Sequence, residues 1–212
     1  MNRINREKLA EKVIEEIEDM LEDHVTRIMK PRINIIDKKL IAYVPISAII
    51  REYYTIKKCK KQNVMSILKG MAIDKFIRDF LDKATVLGYT IYSKYPVEYM
   101  YFSNEYVEII IHASCDLVLV RDSDIILIDI KTAVSEFSIT QMQCFMYIYS
   151  KVLKPRSIMG IIWDPFHYFQ LVTRNDDKVE RIIEKGLWKL MKRLEEEQEL
   201  DFYNKIGIRV QK

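Results

Sequence analysis

The chain has 212 residues, of which 49% are hydrophobic and 31% are charged. These values indicate a globular protein with a substantial core, and they exclude an intrinsically disordered chain. The net charge is only +3. Any surface that attracts nucleic acid must therefore be local rather than a property of the whole molecule.

The sequence carries no signal for a membrane or for secretion. Its apolar runs stay well short of the roughly 20 residues that span a bilayer. The first residues, MNRINREKLAEK, are charged and contain no apolar signal core. We therefore expect an intracellular protein without a membrane partner. The many Ile, Lys and Glu residues lean towards a thermophilic source.

Residues 1–30 are predicted to form a helical extension, because apolar residues recur there at helical spacing until Pro31 ends the helix. The spacing is close to a heptad. Packing on the chain's own core and a seam in a homo-oligomer, a dimer above all, both remain open. Residues 31–212 are predicted to form one compact domain.

A segment that mixes lysines with tyrosines follows the next predicted helix, which runs from Pro45 through Tyr54. Basic residues interleaved with aromatic ones can follow a phosphate backbone and stack on bases. A solvated lysine face is the alternative. The residues concerned are Tyr53, Tyr54, Lys57, Lys58, Lys60 and Lys61.

A second long helix is predicted from Val64 to about Leu87, and three antiparallel strands are predicted after it. The strands are Thr90–Pro96, Val97–Phe102 and Glu105–Ser114, with a two-residue turn at Ser103-Asn104.

The most informative stretch runs from Cys115 to Lys131. Two apolar, β-branched runs flank the polar cluster RDSD, a pattern typical of a hairpin. A two- or four-residue loop in this cluster places Asp116 directly across from Asp129, with Cβ atoms roughly 4.5–5.5 Å apart. Lys131 then projects from the same face. A three-residue loop would shift the register by one and separate the two carboxylates.

This combination of charges favours a functional site. Two facing carboxylates repel each other unless a proton or a cation lies between them, and oxygen ligands suit Mg²⁺ or Mn²⁺. The lysine could orient or deprotonate a water molecule, or stabilise charge on a phosphate. Ordinary polar residues at strand ends are the alternative. The apolar run Ile125–Ile128 argues against it, because a buried central strand seldom ends in charges without a reason.

After the hairpin, a helix is predicted from about Ile139 to Leu153, followed by the strands Arg156–Trp163 and Tyr168–Thr173. The strand–helix–strand order implies a parallel pair of strands. A final helix is predicted from Asp176 to about Leu200.

Four pieces of the chain, in this order, resemble the motifs of the PD-(D/E)xK nuclease superfamily. The similarity is greatest to its RecB-like branch, which includes the CRISPR-associated RecB-type exonucleases. It spans about residues 45–164, and length and composition also resemble those of nuclease-like proteins of archaeal viruses. The pieces are KGMAID at 69–74, CDLV at 115–118, DIKT at 129–132 and QCFMY at 143–147.

The resemblance implies an α/β fold of the restriction-endonuclease-like type, a central mixed β-sheet flanked by α-helices. It implies that Asp116, Asp129 and the Ile130 carbonyl bind Mg²⁺ or Mn²⁺, and that Lys131 is the catalytic lysine. Relatives carry a Gly-x-x-x-His motif whose histidine is a metal ligand. In this chain Asp74 stands at the histidine position, and an aspartate can take that role.

The resemblance also implies that Gln143 and Tyr147, four residues apart on one helix face, lie beside the catalytic lysine and help to place the phosphate or the attacking water. Simple packing in a core helix is the alternative. Glu98 resembles a glutamate on the strand before the hairpin and is a secondary site candidate. Many relatives hold an iron–sulfur cluster with four cysteines, three of them near the C-terminus. No cysteine follows Cys144, so we expect no cluster.

The sequence therefore favours a metal-dependent deoxyribonuclease that acts in replication, recombination or repair-type DNA processing. Its substrate would be single-stranded DNA, a duplex end or branched DNA, and exonuclease and endonuclease action both remain open. One alternative is a catalytically weak or inactive protein with a nuclease fold that binds branched or single-stranded DNA. Another is a helical adaptor whose charged residues are only surface. A dependence on metal separates the first hypothesis from the other two.

Overall fold

The structure is a computed structural model, and it describes residues 31–36, 39–55, 70–72, 75, 77, 79, 81–131, 134–164 and 168–196. The predicted extension, residues 1–30, lies outside this part of the chain. Its separation from one compact domain stays a prediction.

The described residues form strands and helices in a mixed order. They are β1 (Arg32–Ile36), β2 (Lys39–Pro45), α1 (Ile46–Tyr53), β3 (Thr85–Val86), β4 (Tyr89–Ser103), β5 (Val107–Arg121), β6 (Asp124–Ile130), α2 (Glu136–Leu153), β7 (Ser157–Asp164), β8 (Tyr168–Val172) and α3 (Asp176–Glu196). Further helical residues lie between 70 and 81. Over this part of the chain, none of the helices combines the length and the apolar character needed to cross a membrane.

The strands form one mixed sheet with the order β1-β2-β5-β6-β7-β8, and β4 lies along β5 and carries β3. The pairs β2–β5 and β6–β7 are parallel, and the other neighbours are antiparallel. The parallel β6–β7 pair is joined through α2, as the sequence predicts. The α/β fold class, with a central mixed sheet flanked by helices, is confirmed.

Strand β5 organises the sheet because two different strands share one of its edges. β4 covers the other edge over most of its length. On the shared edge, β2 pairs with Val107–His112, whereas β6 pairs with Leu117–Arg121. Residues 113–116 lie between these two partners, so the predicted site residue Asp116 stands where the sheet opens.

Apolar side chains cover both faces of the sheet. The larger core lies between the sheet and the three helices, and it contains fully buried residues such as Leu127, Ile148 and Ile182. The smaller core lies on the opposite face, where Leu117 and its neighbours contact Ile77 of the helical residues before β3. Both strands of the hairpin are therefore buried on both faces, which explains their unbroken apolar runs.

The sequence analysis was wrong to divide β4 into two strands. β4 is one strand of 15 residues. Its Pro96 is tolerated because this part of β4 forms an edge of the sheet, where the missing N–H removes no ladder bond. The register against β5 shifts between Met100 and Phe102, and a second irregularity lies at Lys94, whose φ is +47°. There the ladder passes from Ser93–Leu117 to Tyr95–Cys115 without pairing Lys94 with Asp116.

The predicted two-residue turn at Ser103-Asn104 is also wrong. Ser103 ends β4, and three residues connect it to Val107. The Asn104 carboxamide oxygen accepts hydrogen bonds from the backbone N–H groups of Tyr106 (2.9 Å) and Val107 (2.7 Å), so an asparagine side chain closes this loop.

Helix α2 begins three residues earlier than predicted, because Ser135 and Ser138 form a reciprocal capping box at its start. The helix packs against β7 at Gly160. A Cβ atom there would lie 2.6 Å from the Met146 Sδ atom, so any larger residue would force the methionine side chains to shift. α2 is thereby held against β7 at the level of Leu127, in the middle of β6.

Candidate functional site

The predicted hairpin register is confirmed as far as the Leu117–Ile128 pair. The ladder stops one pair before Asp116 and Asp129. Instead of a backbone carbonyl, the Asp116 carboxylate accepts the hydrogen bond from the Ile130 N–H, with Oδ2 at 2.8 Å. The open end of the hairpin is thus held together by a site carboxylate.

Lys131 and Asp129 form an ion pair at this open end. The Lys131 Nζ atom lies 2.9 Å from Asp129 Oδ2. Among the described residues, Oδ2 is buried without a further hydrogen-bond donor, so the Lys131 ammonium is its charge partner. The Lys131 N–H donates to the Trp163 carbonyl at 2.9 Å, which anchors the lysine backbone to β7. Asp129 itself is only 3% exposed.

The site concentrates negative charge in a poorly solvated place. Burial raises the pKa of Asp116 to about 6, and the neighbouring Asp129 carboxylate adds to this rise. Burial also opposes the charge on Lys131, but the attraction of Asp129 and Asp116 outweighs it and raises the lysine pKa. The lysine is therefore an ammonium at neutral pH.

The predicted residues Gln143 and Tyr147 lie on α2, and their hydrogen bonds lead towards the start of α3. Gln143 Nε2 donates to the Thr173 carbonyl at 2.9 Å, while its Oε1 is buried without a donor. The Tyr147 hydroxyl donates to Glu180 Oε1 at 2.8 Å. Burial and this carboxylate raise the pKa of Tyr147. The predicted roles of both residues beside Lys131 stay predictions.

Glu98 lies further from the hairpin carboxylates. It is exposed on β4 and pairs with His112. His112 precedes Asp116 by four residues in β5, a distance of roughly 13 Å along a strand. The structure therefore does not bring Glu98 to the open end of the hairpin by strand pairing.

The two predicted nucleic-acid-binding tyrosines are half-buried and engaged within the protein. Their rings meet edge to face, with centroids 5.2 Å apart. The Tyr54 hydroxyl is 2.8 Å from Thr140 Oγ1, and the Tyr53 carbonyl accepts a hydrogen bond from Lys189. Their proposed stacking on bases stays a prediction.

The remaining predicted residues lie outside the described part of the chain. They are Asp74, Lys57, Lys58, Lys60 and Lys61. Cys59 lies outside it as well, whereas Cys115 and Cys144 are buried free thiols. The expectation that the protein has no iron–sulfur cluster stays a prediction.

The sequence analysis missed Asp164, a buried carboxylate at the end of β7. It is 3% exposed and follows Trp163, which pairs with Ile130. Asp164 is therefore next to Lys131 in register and shares the sheet face of Asp129. The signal that singled out Asp129, a carboxylate directly after an apolar strand, could also have found Asp164.

The donor atoms of the open end suit a hard divalent cation. Asp129 Oδ2 is a buried anionic oxygen without a hydrogen-bond donor, and Asp116 is a second carboxylate beside it. Within the described ranges, however, no three His, Cys, Asp or Glu side chains are grouped closely enough to hold a metal ion. A complete ligand set would need backbone carbonyls, water or residues such as Asp74.

Comparisons with known proteins give limited information. No family model and no curated protein matches the sequence. The fold is similar to the crystal structure of SSO0001, at 13% identity and a TM-score of 0.47, covering 85% of this chain and 86% of that one. It is also similar to an alkaline exonuclease, LHK-Exo from Laribacter hongkongensis, at 13% identity and a TM-score of 0.43, covering 78% and 95%. Likenesses this remote decide nothing about activity, so the function rests on the site.

Proposed function

We propose that this protein is a metal-dependent nuclease that hydrolyses phosphodiester bonds in DNA. The observation that carries the proposal is the open end of the hairpin. There, two carboxylates and an ammonium converge in a buried setting, and one carboxylate oxygen lacks a hydrogen-bond donor. Two buried carboxylates that share one ammonium cost folding free energy, so their presence favours a functional role.

In this proposal Asp116 and Asp129 bind Mg²⁺ or Mn²⁺, with the Ile130 carbonyl and Asp74 as further ligands. A bound ion would polarise the scissile phosphate and supply a water molecule of lowered pKa. Lys131 lies at 2.9 Å from Asp129 and carries a positive charge that can stabilise the negative charge developing on the phosphate. Asp164 is a positioning candidate, since it borders Lys131 in register.

Replacing a carboxylate and replacing the lysine are expected to have different effects on metal binding and cleavage. Asp129→Asn is expected to lose metal binding and cleavage together. Lys131→Ala is expected to keep metal and DNA binding but to lose at least about a hundredfold in cleavage rate, because its contribution is made mainly in the transition state. Lys185→Ala, which changes an exposed lysine on α3, is the matched control and is expected to cleave like the wild type.

The assay would offer single-stranded, duplex and branched DNA with Mg²⁺ and with Mn²⁺, at 37 °C and at a higher temperature. Cleavage is followed on gels, and metal binding is followed by calorimetry on the same samples. If the wild type and Lys131→Ala are equally inert on every substrate, the nuclease proposal is wrong.

A second candidate function is DNA binding without cleavage. The observation that favours it is that the described residues offer two adjacent carboxylates and no third metal-binding side chain near them. Tight DNA binding by an inert wild type, unaffected by metal, would be its signature.

Under either function, DNA binding is predicted to involve the lysines 57, 58, 60 and 61. Each phosphate contact that is lost lowers the slope of affinity against salt concentration by about one unit on logarithmic scales. Replacing all four lysines with alanine is therefore expected to flatten the slope measured by fluorescence anisotropy. An unchanged slope would place the binding surface elsewhere.

A further inference from the structure

A second concave site lies at the turn end of the same hairpin, away from Asp129. It is a cavity of about 320 Å³. Tyr92 and Tyr95 of β4 line it, together with the apolar side chains of Val120, Ile125 and Leu153. None of these side chains belongs to the proposed metal site.

The irregularity of β4 at Lys94 creates the aromatic walls. In a regular strand Tyr92 and Tyr95 would point to opposite faces, because they are three residues apart. The positive φ of Lys94 exchanges the faces of β4 at this point. Accordingly, Ile91 packs in the smaller core and Val97 in the larger one, although both are odd-numbered. The two tyrosine rings meet at an angle of 60° with centroids 5.7 Å apart.

Polar residues of the hairpin turn and of the end of α2 also line the cavity. Asp122 and Ser123 of the hairpin turn contribute a carboxylate and a hydroxyl. Lys154, the left-handed cap at the C-terminus of α2, also lines the cavity. It brings one ammonium group to the cavity.

We propose that this cavity binds one nucleobase that carries an exocyclic amino group, as adenine, cytosine and guanine do. The tyrosine rings offer the planar surfaces on which bases stack. The volume lies at the lower end of small-molecule sites, which suits a single ring system. The Asp122 carboxylate can accept a hydrogen bond from an amino group, and thymine has none. The Lys154 ammonium can form an ion pair with the phosphate of a nucleotide that carries the base.

The base can come from a free nucleotide or from a DNA strand. Val120 lies four residues from Asp116 in β5, which is roughly 13 Å along the strand. A strand bound along the hairpin could therefore reach both the cavity and the proposed nuclease site. The nucleobase is common to both sources, and the experiment separates them.

The first measurement is calorimetric titration of the full chain with dAMP, dCMP, dGMP and dTMP in buffer that contains EDTA. The three amino-bearing nucleotides are expected to bind at least about threefold more tightly than dTMP. Tyr95→Ala is expected to weaken their binding about tenfold or more. Tyr95 is 39% exposed, and its backbone carbonyl, which accepts a hydrogen bond from Tyr149, is retained.

Two further variants make the test specific. Asp122→Asn removes the carboxylate but tolerates the positive φ of this turn position, 52°. It is expected to reduce the preference over dTMP while leaving stacking intact, because a neutral carboxamide oxygen accepts a weaker hydrogen bond than a carboxylate does. Tyr168→Ala removes a tyrosine that is 50% exposed on β8, outside the cavity, and is expected to bind like the wild type.

The second measurement repeats the titrations with the octamers of dA and dT and with an abasic octamer. Binding of mononucleotides that depends on Tyr95 supports a free nucleotide. Dependence on Tyr95 that appears only with dA octamers supports a base within a strand. If Tyr95→Ala and Asp122→Asn bind every probe like the wild type, or if no probe binds at millimolar concentration, the nucleobase site is refuted. Because no cleavage is measured and no metal is present, this result is independent of the nuclease proposal.

Discussion

Asp124 at the turn end of the β5–β6 hairpin and Asp129 at its open end are both buried carboxylates, but their surroundings differ. Asp124 accepts hydrogen bonds from the Arg156 guanidinium, at 3.2 Å to Oδ1 and 2.5 Å to Oδ2, and from the Ser157 hydroxyl at 2.7 Å. Both of its oxygens therefore have donors. These bonds, above all those from Arg156, lower the pKa of Asp124.

At the open end the opposite holds. Asp129 Oδ2 has an ion-pair contact with Lys131 but no hydrogen-bond donor, and burial raises the pKa of the adjacent Asp116 to about 6. A buried carboxylate with a full set of donors contributes to stability, whereas one with too few donors lowers it. The same residue type thus has a full set of donors at one end of the hairpin and a single cationic partner at the other.

The largest effect that tests this comparison is stabilisation by metal. A ligand at a hundred times its Kd stabilises the folded state by about 2.7 kcal/mol. For a chain of this size that corresponds to a rise in Tm of roughly 5–10 °C. We expect Mg²⁺ or Mn²⁺ to raise the Tm of the wild type, as measured by scanning calorimetry against an EDTA sample.

The matched variants locate this metal effect. Asp129→Asn removes a charge from the open end and is expected to abolish the rise in Tm. Asp124→Asn removes the same charge from the turn end and is expected to retain it. An equal response of both variants would contradict the division of roles between the two ends.

The sequence predicted part of this difference between the two ends of the hairpin, because the relevant signals were local. The polar turn RDSD and the two apolar runs beside it specify the register, and the register places Asp116 and Asp129 at the same strand end. The sequence did not predict that the β5–β6 ladder ends at Leu117. It depends on β2 and β6 sharing an edge of β5, and this arrangement involves residues distant in sequence.

Other features were missed for the same physical reason. The positive φ of Lys94 has no sequence signal, since lysine does not favour this conformation. The sequence could not predict the partner of Asp124 either. Arg156 follows α2 and reaches the turn only after the β6–β7 crossover forms. Local patterns thus predict the elements, whereas the partners of each charge depend on the tertiary fold.

A smaller effect concerns the stability of the metal-free protein. The folded pKa of Asp116, about 6, exceeds its ordinary value of 3.8. The folded state therefore loses stability as the pH rises from about 4 to 6, and the cost is fully present above pH 6. Asn keeps an oxygen for the Ile130 N–H but carries no charge. Asp116→Asn is expected to stabilise the protein by about 1–2 kcal/mol at pH 8 in EDTA.

Urea unfolding at pH 8 and at pH 3.5 measures this difference. The gain is expected to become small at pH 3.5, because Asp116 is then protonated in the folded wild type and mostly protonated in the unfolded one. Equal stability of wild type and variant at pH 8 would show that the open end carries no electrostatic cost.

The smallest effect is expected at the turn end, and it has the opposite dependence on pH. The folded pKa of Asp124 is depressed, so its contribution to stability is present above its ordinary pKa and is lost as the pH falls through the folded value. The Arg156 side chain is 73% exposed, and solvent screening keeps the contribution small. Asp124→Asn is therefore expected to lower the Tm slightly at pH 8 and to leave it unchanged at strongly acidic pH. High salt is expected to reduce the difference at pH 8. A variant more stable than the wild type at pH 8 would place Asp124 in the same class as Asp116, and the contrast between the two ends would be lost.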